Sequence, residues 1–324
     1  MNPDKSKETG FALVLAIVVV TLLSVAGLEL SREVRLSLAL ASNFQDRTKA
    51  RMKALDGLTL AAHALSGDDP AYDSLDEDWA SLGETLEEPE KKEKNQEPDP
   101  VKAGLELSLE DLGGRLNLNL LVDQKGQANA MWVGVFSRLL EITGHSPDLL
   151  STLQDWLDKD SETRTGGAEA ADYKTLGRKT GPRNGRLLDI DELGLVRGFG
   201  KAVMQGAEDK TGLAGLVAVT GNTKINVNTA PIEILRSLDT GLSEGLAKAI
   251  VELREERPIR KLTEIRGLVG MSPDLYRAVS PMLDIKSAWF AAASRGSSGR
   301  ARYRIKAVFK RDKKEIKLVE ARIE

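Results

Sequence analysis

The sequence predicts an α+β protein in which a long N-terminal helix is joined to an α/β head, with a large all-helical region inserted into that head. Three observations predict this class. An apolar run over Phe11–Leu28 continues, without a proline, into a helical pattern that reaches Leu65. Alternating apolar residues indicate a strand over Val101–Asp111 and a hairpin near the C-terminus. Between them lie two copies of one arrangement, in which an Asn-rich phrase precedes a helical stretch.

The apolar run predicts a single membrane span. Its eighteen residues carry no charge and lie at the lower end of the roughly 20 that cross a ~30 Å hydrocarbon core. Lys5 and Lys7 precede the run, and short positive flanks tend to stay cytoplasmic, so we expect the head on the far side. Beyond the span, Glu29–Leu65 is predicted to bury an apolar stripe between the helices of partner subunits. The stripe consists of Leu30, Val34, Leu38, Ala41, Leu55 and Leu58.

A cleavable signal peptide is the alternative interpretation of this run, with a small-residue cleavage site near Ser24-Val25-Ala26. Two features weigh against it. The run is longer than the ~7–15 residues of a signal's apolar region, and the helical pattern continues beyond it. A retained helix of roughly 55 residues would reach ~80 Å. The sequence therefore favours an anchor that stays attached to the head.

The short hydrophilic leader ending at Gly10, followed by Phe11 and a long helix, resembles the type IV pilin class of signal. That resemblance implies that a prepilin peptidase cuts after Gly10 and methylates the new N-terminus at Phe11. Pilins have a glutamate five residues into the mature chain, where this sequence has Leu15. A carboxylate within hydrocarbon is costly without a partner, which in pilins is the free amine of the subunit ahead. Leu15 therefore suits a tip subunit, which has no subunit ahead of it.

The composition is that of a globular protein with charges of both signs. The 324 residues are 41% hydrophobic with a net charge of −3, which gives no general attraction to nucleic acid. Cysteine is absent, so an exported head must depend on its core or on a bound ion. The predicted parts are a leader (1–10), a helix with its span (11–65, span 11–28), the start of the head with a polar loop (66–112, loop 83–100), an inserted helical region (113–222), a second helical unit (223–285) and a C-terminal hairpin (286–324).

Candidate metal ligands concentrate in the inserted region, where five carboxylates accompany a Gly166-Gly167 turn. They are Asp155, Asp158, Asp160, Glu169 and Asp172. Hard oxygen ligands on a glycine-containing loop suit Ca²⁺, which takes 6–8 oxygens in irregular geometry. The spacing is not that of an EF-hand. A solvated acidic loop whose Asp residues cap helices has the same appearance and stays open as the alternative.

Four asparagines in the two Asn-rich phrases are predicted to be structural. Asn117 and Asn119 are two positions apart, as are Asn226 and Asn228. Such side chains hydrogen-bond nearby backbone groups in turns, and neither phrase adjoins a nucleophile or a metal-ligand cluster. Thr229 is predicted as the N-cap of the following helix.

The sequence argues against two other classes of function. An enzyme is not expected, because His63 and His145 are isolated and the chain has no cysteine nucleophile, no G-x-S-x-G and no phosphate loop. Lys224–Met271 also resembles a helix-hairpin-helix pair, which would suit a membrane-anchored periplasmic DNA-binding protein of a pilus-like uptake system. Glu244 lies where a phosphate would approach, so we expect no nucleic-acid partner.

Four separated phrases, in order behind a pilin-like anchor without the glutamate, resemble one family. They are GGRLNLNLL, DWLDKD followed by GGAEAADY, LLDIDELGLVRGF and INVNTAPIEIL. The family is protein K of the general secretion pathway, the large minor pseudopilin of type II secretion. The resemblance covers Phe11 to about Leu283 and departs from the family mainly in the polar stretch at 83–100.

The resemblance carries its own expectations. It implies a pseudopilin α/β head with an inserted domain of helix-hairpin-helix or SAM-like repeats, anchored in the bacterial inner membrane with the head in the periplasm. It implies a place at the pseudopilus tip, above the other pseudopilus subunits and bound to the minor pseudopilins of the I and J types. Members of the family can bind calcium in the inserted region, which points to the same five carboxylates.

Overall fold

The computed structural model describes residues 5–68, 71–87, 104–123, 125–178, 180–207 and 210–324, with only the backbone described at 5–10 and 83–87. Within these ranges the helices are α1 Lys5–Gly67, α2 Asp78–Glu87, α3 Ala130–Ile142, α4 Asp148–Leu157, α5 Ala170–Thr175, α6 Lys201–Gln205, α7 Ile232–Leu238, α8 Glu244–Glu256 and α9 Pro273–Val279. The strands are β1 Leu105–Asp111, β2 Leu116–Asn117, β3 Val217–Ala218, β4 Ile225–Asn226, β5 Leu283–Asp284, β6 Trp289–Ser298, β7 Ala301–Asp312 and β8 Glu315–Ile323. Short 3-10 helices lie at Leu118–Leu120, Ile190–Leu195, Leu262–Gly267 and Ser280–Met282.

Helix α1 is the predicted long helix. It runs unbroken for 63 residues, because its sequence contains no proline to remove a backbone donor. Among the described residues it is the helix long and apolar enough to cross a membrane. Every side chain from Phe11 to Gln45 is exposed, so the apolar half stands free of the head.

The head is built on a four-stranded antiparallel sheet in the order β1-β6-β7-β8. The alternation predicted in β1 is confirmed, since Leu105, Leu107 and Leu109 are buried and the residues between them are exposed. Strands β7 and β8 form the predicted hairpin, with Lys313 at φ 56° in the turn. Strand β6 was not predicted, because its alanines, serines and glycine give no contrast between large apolar and polar side chains.

The C-terminal half of α1 packs on this sheet through small residues. A Cβ atom on Gly296 of β6 would lie 1.9 Å from the carbonyl oxygen of Ala50. One on Gly57 would lie 2.1 Å from the Oγ atom of Ser294. Such distances exclude any larger side chain without movement of the helix. Around this close crossing, a core forms from larger residues that include Leu58, Leu65, Leu107, Trp79, Phe290 and Phe309.

The apolar stripe predicted on α1 is divided between two surfaces. Leu58 is buried against the head, so its assignment to an intersubunit stripe is wrong. The reason is that α1 turns this face toward its own sheet from Ala50 onward. The residues that remain exposed are Leu30, Val34, Leu38 and Leu55, with Ala41.

The helical region consists of two copies of one topology. Each copy begins and ends with a short strand, and the two strands pair in parallel, β2 with β3 and β4 with β5. Between them both copies have two helices, a 3-10 helix and a further helix. The first copy adds a 3-10 helix after β2, the acidic loop and α5, and the second adds a 3-10 helix before β5. One continuous apolar core runs through both copies, which predicts that they fold as one body.

A buried polar junction joins the head to the second copy. Asp111, at the end of β1, accepts hydrogen bonds from Ser287 Oγ at 2.7 Å and Asn226 Nδ2 at 3.2 Å, and from the hydroxyl of Thr229. Burial raises the pKa of Asp111, which these donors oppose. The prediction that Thr229 caps α7 is therefore wrong. Pro231 occupies the N-cap, and the hydroxyl of Thr229 donates a hydrogen bond to the buried carboxylate.

Part of the predicted domain organisation lies in residues that the structure does not describe. Helix α2 extends to Glu87, so the first residues of the polar loop predicted at 83–100 are helical. The rest of that loop, from 88, lies outside the described residues, as do leader residues 1–4.

Candidate functional site

The acidic loop lies between α4 and α5 in the first helical copy. Asp158 is the C-cap of α4, and Glu169 is the N-cap of α5. Gly166 has φ 77°, a left-handed conformation that glycine adopts without strain. A Cβ atom on Gly167 would lie 2.0 Å from Asp155 Oδ2, so the loop can close on α4 only with glycine there. The two glycines thus bring Glu169 back to the end of α4.

Three of the five predicted ligands meet in this loop. Carboxylate oxygens of Asp158, Asp160 and Glu169 lie within 4.8 Å of one another. Asp158 is 0% and Glu169 4% exposed, whereas Asp160 is exposed. One oxygen of Asp158 and both of Glu169 are buried and accept no hydrogen bond from the described residues. Buried acceptors without donors are costly, and a cation would satisfy them.

The other two predicted ligands have partners within the protein. Asp155 accepts hydrogen bonds from Arg164, through Nη1 at 2.7 Å and the backbone N–H at 3.2 Å. The same Nη1 also contacts the second oxygen of Asp158. Asp172 accepts a hydrogen bond from the backbone N–H of Glu169 at 2.8 Å and so caps α5. The capping alternative therefore describes Asp172, and an ion pair describes Asp155.

The electrostatics of the loop favour a bound cation. Burial, reinforced by the negative charges of Asp155 and Asp158, raises the pKa of Glu169 to about 7. Burial also raises the pKa of Asp158, although Arg164 opposes the shift. The charged forms are thus only partly compensated by their neighbours, and a divalent ion would add compensation.

The donor chemistry fits Ca²⁺. The three converging side chains offer only carboxylate oxygens, the ligands that this hard cation prefers. Asp158 and Asp160 would supply ligands from the end of α4, and Glu169 from the start of α5. A bound ion would offset their charge and join the two helix ends.

Arg197 positions the glycine turn, a role that was missed in the sequence. Its Nη2 donates to the carbonyl oxygens of Gly166 at 2.6 Å and Gly167 at 2.5 Å. Its backbone N–H donates to the hydroxyl of Tyr173, on α5, at 2.9 Å. Arg197 therefore fixes the chain on both sides of Glu169.

The internal repeat contains a signal for this role. Arg197 precedes Gly198, at φ 92°, just as Val269 precedes Gly270, at φ 96°, in the second copy. The second copy has no acidic loop, and Val269 is 95% exposed. The arginine is thus found only in the copy that has a loop to position.

A second acidic group, also missed in the sequence, lies where α1 meets the head. Oxygens of Asp68, Asp73 and Glu77 lie within 4.8 Å of one another. Arg311 donates to Asp68 at 2.7 Å and contacts Asp73, and Glu77 accepts from a backbone N–H at 2.8 Å and the Trp79 indole at 3.0 Å. Since these carboxylates have donors, the group is a structural junction.

The hairpin between α7 and α8 does not favour a phosphate backbone. The N–H of Gly241 donates to the side chain of Asp239 at 2.8 Å, and Ser243 caps α8. The exposed Glu244 then begins the helix. Backbone donors that would grip phosphate are already used, and the entrance is acidic.

The residues predicted for processing lie at the start of the apolar half of α1. The backbone of Gly10 is helical. Phe11 is 72% exposed and Leu15 is 54% exposed. Neither side chain is buried by the head.

Comparison with protein-family models finds matches to one family. Two models for protein K of the type II secretion system match the chain, one over residues 114–209 and one over residues 225–286. The chain is thus similar to protein K of the type II secretion system across its helical region. It is accordingly a minor pseudopilin, a structural component of that system. The first match covers the first helical copy up to a point before β3, and the second match covers the second copy.

Relatives of the same description match this chain, two of them over nearly its whole length. Type II secretion system protein K of Klebsiella pneumoniae is 27% identical over 98% of this chain and 96% of its own length. The Aeromonas hydrophila protein is 25% identical over 96% and 95%, respectively. The Dickeya chrysanthemi protein is 31% identical over 49% of this chain and 45% of its own.

The fold agrees with a solved structure. The crystal structure of the GspK-GspI-GspJ complex from the type 2 secretion system of enterotoxigenic Escherichia coli contains a chain that aligns with a TM-score of 0.65. The alignment covers 90% of this chain and 99% of that chain, at 16% identity. This likeness confirms the predicted fold class.

Proposed function

We propose that this minor pseudopilin occupies the tip of a periplasmic pseudopilus, where it supports protein export across the outer membrane. The observation that carries the proposal is the division of α1. Its C-terminal half is part of the head's core, while every side chain from Phe11 to Gln45 is exposed. A helix with a free apolar half needs a bilayer or other apolar helices around it. Such a helix suits a subunit that moves from a membrane into a helical assembly.

Leu15 supports the tip position. A pilin glutamate in this place is neutralised by the amine of the subunit ahead, and a subunit without one would bury an unpaired charge. Leucine removes that cost. The helical copies add bulk to the head, which would limit addition of further subunits above it.

The proposed partners are minor pseudopilins of the I and J types. The fold neighbour from E. coli is the GspK-GspI-GspJ complex. Here the exposed residues Leu30, Val34, Leu38 and Leu55 offer an apolar stripe on which partner helices can pack.

The proposed location is the bacterial inner membrane, with one span and the head in the periplasm. Lys5 and Lys7 before the span support this orientation. Processing by prepilin peptidase would remove the leader after Gly10 and methylate Phe11. Function then rests on assembly, without catalytic turnover.

We also propose Ca²⁺ as the ligand of Asp158, Asp160 and Glu169. Three buried carboxylate oxygens without donors in the described residues support the site. The role of the ion would be structural, because it joins the end of α4 to the start of α5. Asp155 and Asp172 would instead hold the loop in its shape, through the hydrogen bonds described above.

Partner binding tests the tip proposal. A chain lacking residues 1–28 keeps its core, because the helix is exposed up to Gln45. We expect this chain to bind the I-type and J-type subunits in solution, and Val34→Arg to weaken that binding about tenfold or more by placing a charge in the stripe. Ala39→Arg is the control, since helical spacing places Ala39 away from the stripe. Absence of binding to both subunits would reject the tip complex.

Replacement of Gly10 tests the processing proposal. We expect Gly10→Leu to leave the leader attached, which mass spectrometry of the mature chain detects. A mature chain that begins near Gly27 would instead show an ordinary signal peptide and reject the retained helix.

A further inference from the structure

Arg164 lies beside the proposed calcium site, and its guanidinium places one of the protein's own positive charges there. Its Nη1 contacts both Asp155 and Asp158, whose side chains are 0% exposed. The Arg164 side chain itself is 31% exposed, and it belongs to an irregular segment between α4 and α5. It therefore reaches the buried carboxylates from the solvent side and can withdraw without disturbing a helix or a strand.

Asp158 is shared between this guanidinium and the open part of the cluster. One of its oxygens contacts Arg164 and the other is buried without a donor, and its carboxylate groups with those of Glu169 and Asp160. A cation held by those three residues would lie close to the guanidinium, across a single carboxylate. Two positive charges at that separation repel each other, and more strongly because the carboxylates between them are buried.

In this arrangement the loop holds more negative charges than positive ones. Asp155, Asp158, Asp160 and Glu169 bring four carboxylates together, and Arg164 contacts two of them. If Arg164 withdrew, Asp155 and the second oxygen of Asp158 would lose a donor while remaining buried. That state is unfavourable unless another cation takes the place of Arg164.

We propose that Arg164 is a tethered counter-cation, which holds the acidic loop closed in the absence of calcium and which Ca²⁺ must displace. The inference rests on the proposed calcium site. Displacement would release Asp155 and give the ion a fourth carboxylate. Four of the five residues chosen from the sequence would then hold the ion, and Asp172 would remain the cap of α5.

The test is a Ca²⁺ titration of the full-length chain purified in detergent, followed by calorimetry and by thermal unfolding. Arg164→Gln removes the competing charge. We expect it to bind Ca²⁺ about tenfold more tightly than wild type, which corresponds to about 1.4 kcal/mol. In chelator its Tm should fall below that of wild type, and in saturating Ca²⁺ this difference should close.

Arg183→Gln is the matched control, because Arg183 pairs with the buried Glu192 outside the cluster. It should lower Tm equally in chelator and in Ca²⁺ and leave the Ca²⁺ affinity unchanged. If Arg164→Gln does not fold, Arg164→Lys replaces it, since lysine keeps the charge but lacks the planar fork. Tighter Ca²⁺ binding by that variant supports the inference.

Equal or weaker Ca²⁺ binding by the Arg164 variants overturns the inference, as does a Tm difference that persists in saturating Ca²⁺. If wild type binds no Ca²⁺, both the inference and the calcium site are rejected. The tip proposal is judged separately, by binding of the I-type and J-type subunits.

Discussion

Asn119 and Asn228 form the same pair of hydrogen bonds in the two helical copies. Asn119 donates to the carbonyl of Leu187 at 2.9 Å and accepts from its N–H at 2.8 Å. Asn228 does so with Ile259, at 3.0 Å and 2.9 Å. In each copy the asparagine amide thus ties two backbone segments together as a clamp. One lies just before the 3-10 helix, and the other lies at the end of the first strand. The role of these two asparagines is structural, as predicted, but their partners lie 68 and 31 residues away and not in a local turn.

Loss of either clamp should destabilise the protein to a similar extent. Asn228→Ala leaves a buried N–H and a buried carbonyl of Ile259 without partners, so we expect a loss of about 2–3 kcal/mol in the free energy of unfolding. Asn119→Ala should give a comparable loss. Denaturant unfolding measures both, and Asn43→Ala on the exposed part of α1 should change stability by less than about 0.5 kcal/mol. A loss confined to one copy would contradict the equivalence of the clamps.

The close crossing of α1 over β6 should tolerate no added side chain at Gly296. Gly296→Val would force the helix away from the sheet, and we expect a loss of about 3 kcal/mol in the free energy of unfolding. Gly245→Ala is the control, because nothing lies within 4 Å of a Cβ there and the residue is helical. It should be neutral or stabilising by up to about 1 kcal/mol. A fold that accepts valine without loss would show that the crossing is not tight.

Stability should fall as pH rises, in part through Glu77. Burial first, together with the charges of Asp68 and Asp73, raises the pKa of Glu77 from 4.5 to about 7. Its contribution is fully present below pH 4.5, where both folded and unfolded states are protonated, and is lost as the pH rises through 7. We expect Glu77→Gln to gain about 1–2 kcal/mol over wild type at pH 8, after allowance for partial exposure, and little at pH 4.5.

Denaturant unfolding across this pH range measures the effect. Glu252→Gln, on the exposed face of α8, should give a curve parallel to wild type. Asp73, whose pKa burial raises to about 6, should leave some pH dependence in the Glu77 variant. A constant difference between Glu77→Gln and wild type at all pH values would contradict the assignment.

Arg197 should matter more to calcium binding than to folding. Arg197→Met removes the two hydrogen bonds to the glycine turn, so Glu169 loses its fixed position. We expect Ca²⁺ affinity to fall about tenfold or more, as is usual when a residue that orients a metal ligand is removed. Val269→Met, at the corresponding position of the second copy, is the control. An effect on Tm in chelator with unchanged Ca²⁺ affinity would show that Arg197 is only structural.

Sequence was a good guide wherever structure depends on near neighbours. The helix from the anchor to Leu65, the alternation in β1 and the hairpin of β7 and β8 each follow from a repeated pattern along one element. The two Asn-rich phrases also predicted a repeated unit, because each phrase carries its own turn. Strand β6 was missed because most of its residues are small, which lets α1 pack closely on it. A contact between elements distant in sequence leaves no pattern within the strand itself.

The sequence predicted which residues could form the metal site, but not which of them come together. Five carboxylates near two glycines indicated a loop that could bind calcium. Which of them meet depended on the closure of that loop, on Arg164 within it and on Arg197 outside it. The pairing of Asp155 with Arg164 and the helix cap made by Asp172 therefore appeared only in three dimensions.

By itself, the sequence determined that the chain has a long helix with an apolar first half, alternating strands and two related helical units, because helix and strand periods are properties of the local backbone. Tertiary structure alone decided which face of α1 belongs to the head and which carboxylates remain without donors. Those outcomes depend on contacts between residues far apart in the chain, and the free energy of such contacts is set by packing and burial once the chain has folded.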